Sequence, residues 1–339
     1  MKKKITISFF VRKPLKNFHY SIENFYEELL KLKSNKFLIE KKILPLESKG
    51  LIKRVLISLW SIFNQNYINH ISGDINFVSI FTRKKNNILT ILDLYGFKRL
   101  KGIKKFLYKL LWLTLPIKSC SKIITISEKI KKEILQEYNL DKDFIKVIPC
   151  GTSKIYKKNK KSINLKNPNI LFIGTAVNKN LERSIEALKG LRIKLTIIGE
   201  MNEQSVNLLK NNKIIFKNFT NQTLNQMYNH YKNCDIVLFP STYEGFGLPI
   251  IEAQTVGRLI ITSDLSPMRE TAGKAAIYVN PFSKKDIRKK VISIKKNKKK
   301  NSLLIKQGYK NVKRFKVINL QKEYIKIYNE FYESFNINK

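Results

Sequence analysis

Two glutamates with seven residues between them, Glu244 and Glu252, stand in the stretch DIVLFPSTYEGFGLPIIEAQTVGRLIITSD, residues 235–264. DIVLFP predicts a buried strand. STYEGFG predicts a turn in which Gly245 and Gly247 permit positive φ or a close approach of ligand to backbone. Pro249 suits the start of a helix, PIIEAQTV makes about two turns of it, and Gly257 is placed to end them. RLIITSD predicts the next strand. The N–H groups at such a helix start form an anion site fit for a phosphate. Glu244 falls just ahead of the helix and Glu252 in its first turn, so both carboxylates belong near one site. Ionised carboxylates only accept hydrogen bonds, which suits them to hydroxyl-rich ligands. A sugar nucleotide carries hydroxyls on its sugar and its ribose, with phosphates between. An equally economical reading makes Glu252 a partner of the helix dipole and Glu244 a cap of the turn. Spacing alone does not separate the two.

The elements that must position these residues repeat along the chain. Strands are predicted at 4–11, 87–93, 122–127 and 145–149, and again at 169–174, 193–199, 213–217, 235–240, 258–263 and 275–279. Several are continuous apolar runs, as in parallel strands buried on both faces. Helical patterns lie between them, such as 181–191 and 223–234. The alternation predicts an α/β fold. Two such series predict two Rossmann-like domains, with ligands in the crevice beyond the strand carboxyl ends. The expected domains are 1–150 and 151–317, joined through the polar, Lys- and Asn-rich stretch 150–168. A terminal helix over 318–339 carries Tyr324, Ile327, Tyr328 and Phe331 at helical spacing and is expected to pack back towards the first domain. The run KKNKKKN (295–301) predicts a solvated helix surface.

A chain of 339 residues suits two domains, at roughly 150 residues each. Lys and Arg number 66 against 25 Asp and Glu, a formal net charge of +41. Such a surface attracts nucleic acid, acidic lipid or phosphorylated ligands. The abundance of Lys, Asn and Ile, whose codons are AT-rich, offers genome composition as the plainer cause. The charge is spread along the whole chain, and no nucleic-acid-binding motif is present. Three widely spaced cysteines, Cys120, Cys150 and Cys234, suggest neither a zinc site nor a disulfide framework. The apolar run at the N-terminus spans only Ile5 to Val11 and reads as a first strand rather than a signal peptide. No run reaches the ~20 apolar residues that span a bilayer. FLYKLLWLTLPI is interrupted by Lys109 and ends near Pro116. The expected location is the cytoplasm, either free or peripheral at the inner face of the plasma membrane. Of the histidines, His230 falls in a predicted helix, and His19 is a candidate for lining an acceptor cleft.

The segment E-GFGLPII-E resembles the EX7E motif of retaining glycosyltransferases of family 4, glycosyl transferases group 1, which have the GT-B fold of two Rossmann-like domains facing a central cleft. FPSTYEGFGLPIIEA and SDLSPMRETAG (263–273) resemble consecutive segments of that family. NILFIGTAVNKNLERSIEAL (169–188) resembles the first strand, loop and helix of its donor domain. The segments 70–80, 88–94 and 122–152 also look like family segments, and the likeness is tightest over 169–280. Two departures stand out. Thr175 and Asn178 occupy positions near which many members have an Arg, and Leu92-Asp93 stands where many have His-Asp.

The resemblance implies a metal-independent transfer of a sugar from a nucleotide-sugar, UDP- or GDP-linked, to a glycan or lipid-linked acceptor, with retention of anomeric configuration and no cofactor. It implies a donor site of Gly174, Lys179, Glu244, Gly245, Phe246, Gly247, Leu248 and Glu252. Lys179 would contact the diphosphate, Glu252 the ribose, and Glu244 with the amides of Phe246 and Gly247 the donor sugar. Asp93 remains as a catalytic candidate beside Glu244. DKD (141–143) has the letters of a metal-binding Asp-x-Asp but falls in a polar turn between a helix and a strand. Cell-surface polysaccharide synthesis is the implied process, and an anionic membrane is a compatible partner. The rival readings are a binding protein that kept the fold and lost catalysis, motivated by Leu92, and a basic nucleic-acid binder, motivated by the charge alone.

Overall fold

A computed structural model describes residues 4–14, 21–160 and 162–337. His19 lies outside them. The chain divides into two compact units. Tyr26–Pro149 and Ile318–Lys339 belong to the first, and Cys150–Val317 to the second. Among the described residues each unit carries one six-stranded sheet, and every strand pairing is parallel.

The first sheet contains β1 (Ile5–Val11), β2 (Phe37–Ile43), β3 (Ile68–Ile71), β4 (Asn87–Ile91), β5 (Lys122–Thr125) and β6 (Ile145–Val147), ordered β2-β1-β3-β4-β5-β6. β2 and β3 are additions to the strands predicted from the sequence. β2 is an edge strand that reads FLIEKKI, with its charged residues towards solvent. β3 is only four residues long and places two polar side chains, Asn69 and His70, in the interior. His70 bonds through its two ring nitrogens to the hydroxyls of Tyr328 and Thr90, each at 2.7 Å. Tyr328 belongs to the terminal helix Val317–Ile337, which buries Tyr324, Ile327, Tyr328 and Phe331.

The second sheet contains β7 (Asn169–Ile173), β8 (Lys194–Ile198), β9 (Ile215–Phe219), β10 (Ile236–Phe239), β11 (Leu259–Ser263) and β12 (Ile277–Val279), ordered β12-β11-β10-β7-β8-β9. β9 begins two residues later than predicted, because Lys213 takes φ 51 and turns the chain first. Side chains along β7, β10 and β11 alternate between two apolar layers. Ile170, Phe172, Ile236, Leu238 and Ile261 enter one layer. Leu171, Val237, Phe239 and Ile260 enter the other. This sandwiching by helices explains the unbroken apolar runs. The chain leaves the sheet centre in one direction through β8 and β9 and in the other through β10, β11 and β12. The order therefore reverses between β7 and β10, and ligands of open α/β sheets bind beyond the strand ends at such a point.

Several boundaries follow from local chemistry. Thr223 and Gln226 form a capping box that starts the helix Leu224–Asn233. Gly257, at φ 83, ends the helix Leu248–Val256. Asn297 splits the basic run 295–301: one helix ends at Lys296 and the next, Lys298–Asn311, starts with the Asn297 side chain accepting from the Lys300 amide.

Candidate active site

β7 and β10 deliver two loops to the point where the strand order reverses. The β7 loop opens with Gly174 at φ +86 and closes through a short 3-10 turn, Val177–Lys179. A Cβ on Gly174 would lie 3.0 Å from the Cγ and Cε of Lys179. Glycine thus serves twice here, in its backbone conformation and in letting the lysine chain pass over it. The Lys179 ammonium reaches Glu244 Oε1 at 2.7 Å, and both side chains are largely shielded, at 21% and 13% exposure. It also stands 5.1 Å from the centre of the Phe239 ring, within the range of a cation–π contact.

Two asparagines fix the loops against each other. Asn178 is buried and donates to the Tyr243 carbonyl at 2.9 Å. Its own carbonyl accepts from the Thr242 amide at 2.8 Å. Asn180 takes the left-handed conformation, φ 69, and is buried. Its amide donates to the carbonyls of Pro240 at 3.0 Å and Pro281 at 2.7 Å. One side chain thereby ties together the loops beyond β7, β10 and β12. Thr175 turns its hydroxyl to the Glu200 carbonyl.

The β10 loop leads through Glu244, Gly245, Phe246 and Gly247 into the helix Leu248–Val256. Gly247 has φ 100, so the chain turns into the helix without a side-chain cap. A Cβ there would meet Ile250 Cδ1 at 3.0 Å. Phe246 is buried, its carbonyl accepts from Thr271 Oγ1 at 2.8 Å, and its ring stands edge-on to Phe315 at 5.4 Å. The backbone of the glycine turn is thus pinned from outside, with Lys179 and Glu244 beside it.

Glu252 is buried more deeply than Glu244 and has different partners. It is 3% exposed and sits on the buried side of the helix. Tyr231 donates its phenolic O–H to Glu252 Oε2 at 2.6 Å. Tyr156 stands edge-on to Tyr231 at 5.5 Å. Burial first, and the Glu252 carboxylate second, push the phenols of Tyr156 and Tyr231 well above the usual tyrosine range. Both therefore stay protonated, as donors towards a carboxylate. Sequence reasoning missed both tyrosines. Tyr156 falls inside the stretch read as a linker, and Tyr231 is one aromatic among many in a helix.

The structure brings Gly174, Lys179 and Glu244 together ahead of the Leu248 helix, and buries Glu252 within that helix against Tyr231. Asp93 belongs to the first unit, exposed just past β4, where its carboxylate accepts from the Tyr95 amide at 2.8 Å. Leu92 packs on Gly73, where even a Cβ would lie 2.3 Å from its Cγ. The DKD triplet is a turn: Asp141 Oδ1 accepts from the Asp143 amide at 2.8 Å. Among the described residues no group of three or more His, Cys, Asp or Glu side chains is placed to hold a metal ion.

Residues 153–311 match the family model of glycosyl transferases group 1. Over these residues the chain is similar to that family. The match contains both loops, the Lys179–Glu244 pair, Glu252 and its two tyrosines. Among curated proteins, the chain is 26% identical over 214 residues to the O-antigen chain mannosyltransferase RfbU of Salmonella typhimurium, covering 59% of this chain and 58% of that protein. It is 25% identical over 292 residues to the capsular polysaccharide biosynthesis glycosyltransferase CapM of Staphylococcus aureus, covering 77% and 74%. The chain spans about half the length of the first curated relatives it matches, 58% and 44%. Among solved structures it is similar to Anabaena HepE in complex with UDP and glucose, with a TM-score of 0.75 at 13% identity, covering 96% of this chain and 100% of that one. The two parallel-sheet, Rossmann-like units are those of the GT-B fold. Within the matched residues, the glycine turn and its helix follow β10 at the reversal of strand order, the place where open α/β sheets bind ligands.

Proposed function

We propose that the chain is a glycosyltransferase that moves a sugar from a nucleotide-sugar donor to a hydroxyl of a glycan or lipid-linked acceptor in cell-surface polysaccharide synthesis. The observation that carries this is the Lys179–Glu244 pair, 2.7 Å apart beside the glycine turn where the strand order reverses. A sugar nucleotide needs both members. The ammonium and the N–H groups around Gly247 and Leu248 neutralise the diphosphate. The Glu244 carboxylate, with the amides of Phe246 and Gly247, accepts from and donates to the hydroxyls of the donor sugar. Glu252 takes the ribose hydroxyls, and Tyr231 and Tyr156 hold its carboxylate ready as an acceptor. Asp93 stays a catalytic candidate, on the likeness to family 4. The transfer retains anomeric configuration and uses no metal, a reading that rests on the likeness to family 4. The relatives named for O-antigen and capsule assembly support the process, and the UDP in the Anabaena structure favours a UDP-sugar.

A panel of UDP-, GDP-, ADP- and dTDP-sugars in a thermal-shift assay tests the donor class, because a ligand that binds the folded state raises the melting temperature by mass action. The expected result is a rise with UDP- or GDP-sugars. A melting temperature indifferent to the whole panel overturns the proposal. Leu92, standing where the likeness to family 4 implies His, motivates a second reading, a sugar-nucleotide binder without turnover. Slow hydrolysis of the bound donor decides against it.

A further inference from the structure

In the first unit, the helix Leu51–Phe63 is built inside out. The side it buries carries Ile57, Ser58 and Ser61. The two serine hydroxyls bond back to helix carbonyls, of Arg54 at 2.8 Å and of Ser58 at 2.7 Å. The side it exposes is the apolar one: Ile52 is 77% exposed, Phe63 86%, and Val55, Leu56 and Leu59 each 49%. Their spacing of three and four residues makes one continuous stripe. Single exposed apolar residues are ordinary, but a contiguous stripe of this length marks an interaction surface.

A second helical stretch, 102–118, adds to it. Ile103, Phe106, Leu107 and Leu111 are exposed there, again at helical spacing. The two stretches are neighbours: the Arg54 guanidinium stacks 4.3 Å over the Trp112 ring. The charge around them is mostly positive, although Lys98 pairs with Glu133 and Lys109 with Glu137. No acidic residue occurs from 48 to 73 or from 94 to 127, and residues 94–127 include Lys98, Arg99, Lys101, Lys104, Lys105 and Lys109. Among the described residues no helix is long and apolar enough to cross a membrane.

We infer that this face of the first unit docks on an anionic lipid bilayer, with the Leu51–Phe63 and 102–111 helices lying in the interface and the lysines over the headgroups. An apolar stripe rimmed by Lys and Arg is the composition of helices that lie in the membrane plane, and anionic headgroups complete the charge. A second copy of the chain fits less well, because pairing these faces would bring like charges together. The inference goes beyond the proposed activity and does not require it.

Flotation with vesicles tests it. The whole chain is expected to bind vesicles of phosphatidylcholine with one part in three phosphatidylglycerol, to bind pure phosphatidylcholine weakly, and to be released by salt. Lys104→Ala with Lys105→Ala should weaken binding about 25-fold. Ile52→Ser with Phe63→Ser should weaken it at least about tenfold with an unchanged melting temperature. Lys298→Ala with Lys299→Ala, on the second unit, should leave it unaltered. Three results overturn the inference: no binding to the anionic vesicles, equal loss from the lysine pairs on both units, or undiminished binding by the Ile52/Phe63 variant. A dimer in light scattering that the Ile52/Phe63 variant dissolves also overturns it, in favour of self-association.

Discussion

Lys179 and Glu244 come from loops 65 residues apart, and the contact exists because Gly174 has no side chain in the way. Under the proposed assignment the ammonium exchanges part of its contact with Glu244 for a diphosphate oxygen. Lys179→Ala should then lower transfer by about 1–3 kcal/mol, the value of a charge-assisted hydrogen bond, with kcat/KM as the measurement. Full activity in that variant removes the lysine from the site. Glu252 calls for a different experiment. Glu252→Ala would leave the phenols of Tyr231 and Tyr156 buried without their carboxylate, so lost donor binding in that variant could not be told from lost packing. Tyr231→Phe is cleaner. It should cost about 1–3 kcal/mol of stability and, if Glu252 holds the ribose, also weaken donor binding by calorimetry. Lowered stability with unchanged donor affinity would make Glu252 a purely structural acid. At this scale the sequence shows the two glutamates and the lysine, because their motif is contiguous or nearly so. It hides Tyr156, Tyr231 and Asn180, whose roles depend on partners that only the folded chain brings near.

The elements explain why those partners meet. β7 and β10 are neighbours in the sheet although β8 and β9 separate them in sequence, so their loops converge where the strand order reverses. Long apolar strands such as β7, β10 and β11 are readable because burial on both faces leaves an unbroken signature. β2 and β3 are not: an edge strand keeps its charges, and a four-residue strand with Asn69 and His70 has no period to detect. The loops are less readable still, since asparagines in a chain crowded with them carry no label. Asn180 nevertheless spans three strand ends. Asn180→Ala should leave the Pro240 and Pro281 carbonyls without their donor and cost about 1–3 kcal/mol for each that stays dry. It also places alanine at φ 69, where a side chain is strained. The expected outcome is a lowered melting temperature together with faster amide exchange in both site loops. Loss of stability with no change in those loops would refute its role in positioning them.

At the scale of the molecule, the first unit is closed by residues from opposite ends of the chain. His70 of β3 bonds to Tyr328 of the terminal helix, 258 residues away, and to Thr90 of β4. A neutral imidazole donates through one nitrogen and accepts through the other, and both hydroxyls can complement it. Complete burial, with no carboxylate among the causes, lowers the His70 pKa from 6.5 to about 3. The folded state thus resists a proton that the unfolded chain accepts. The group's contribution is fully present above the unfolded pKa of 6.5 and is lost as pH falls from there towards 3. At pH 5 the loss is about 2 kcal/mol. Carboxylates add their own acid dependence below pH 5, so the decisive window is pH 6.5 to 5, where few other groups titrate. Urea midpoints measured across that window should fall for the natural chain. They should fall much less for His70→Phe, whose stability starts lower because the Tyr328 and Thr90 hydroxyls lose their partner. Parallel slopes in the two proteins would show that His70 is not the group that couples protonation to the joining of β3 with the terminal helix.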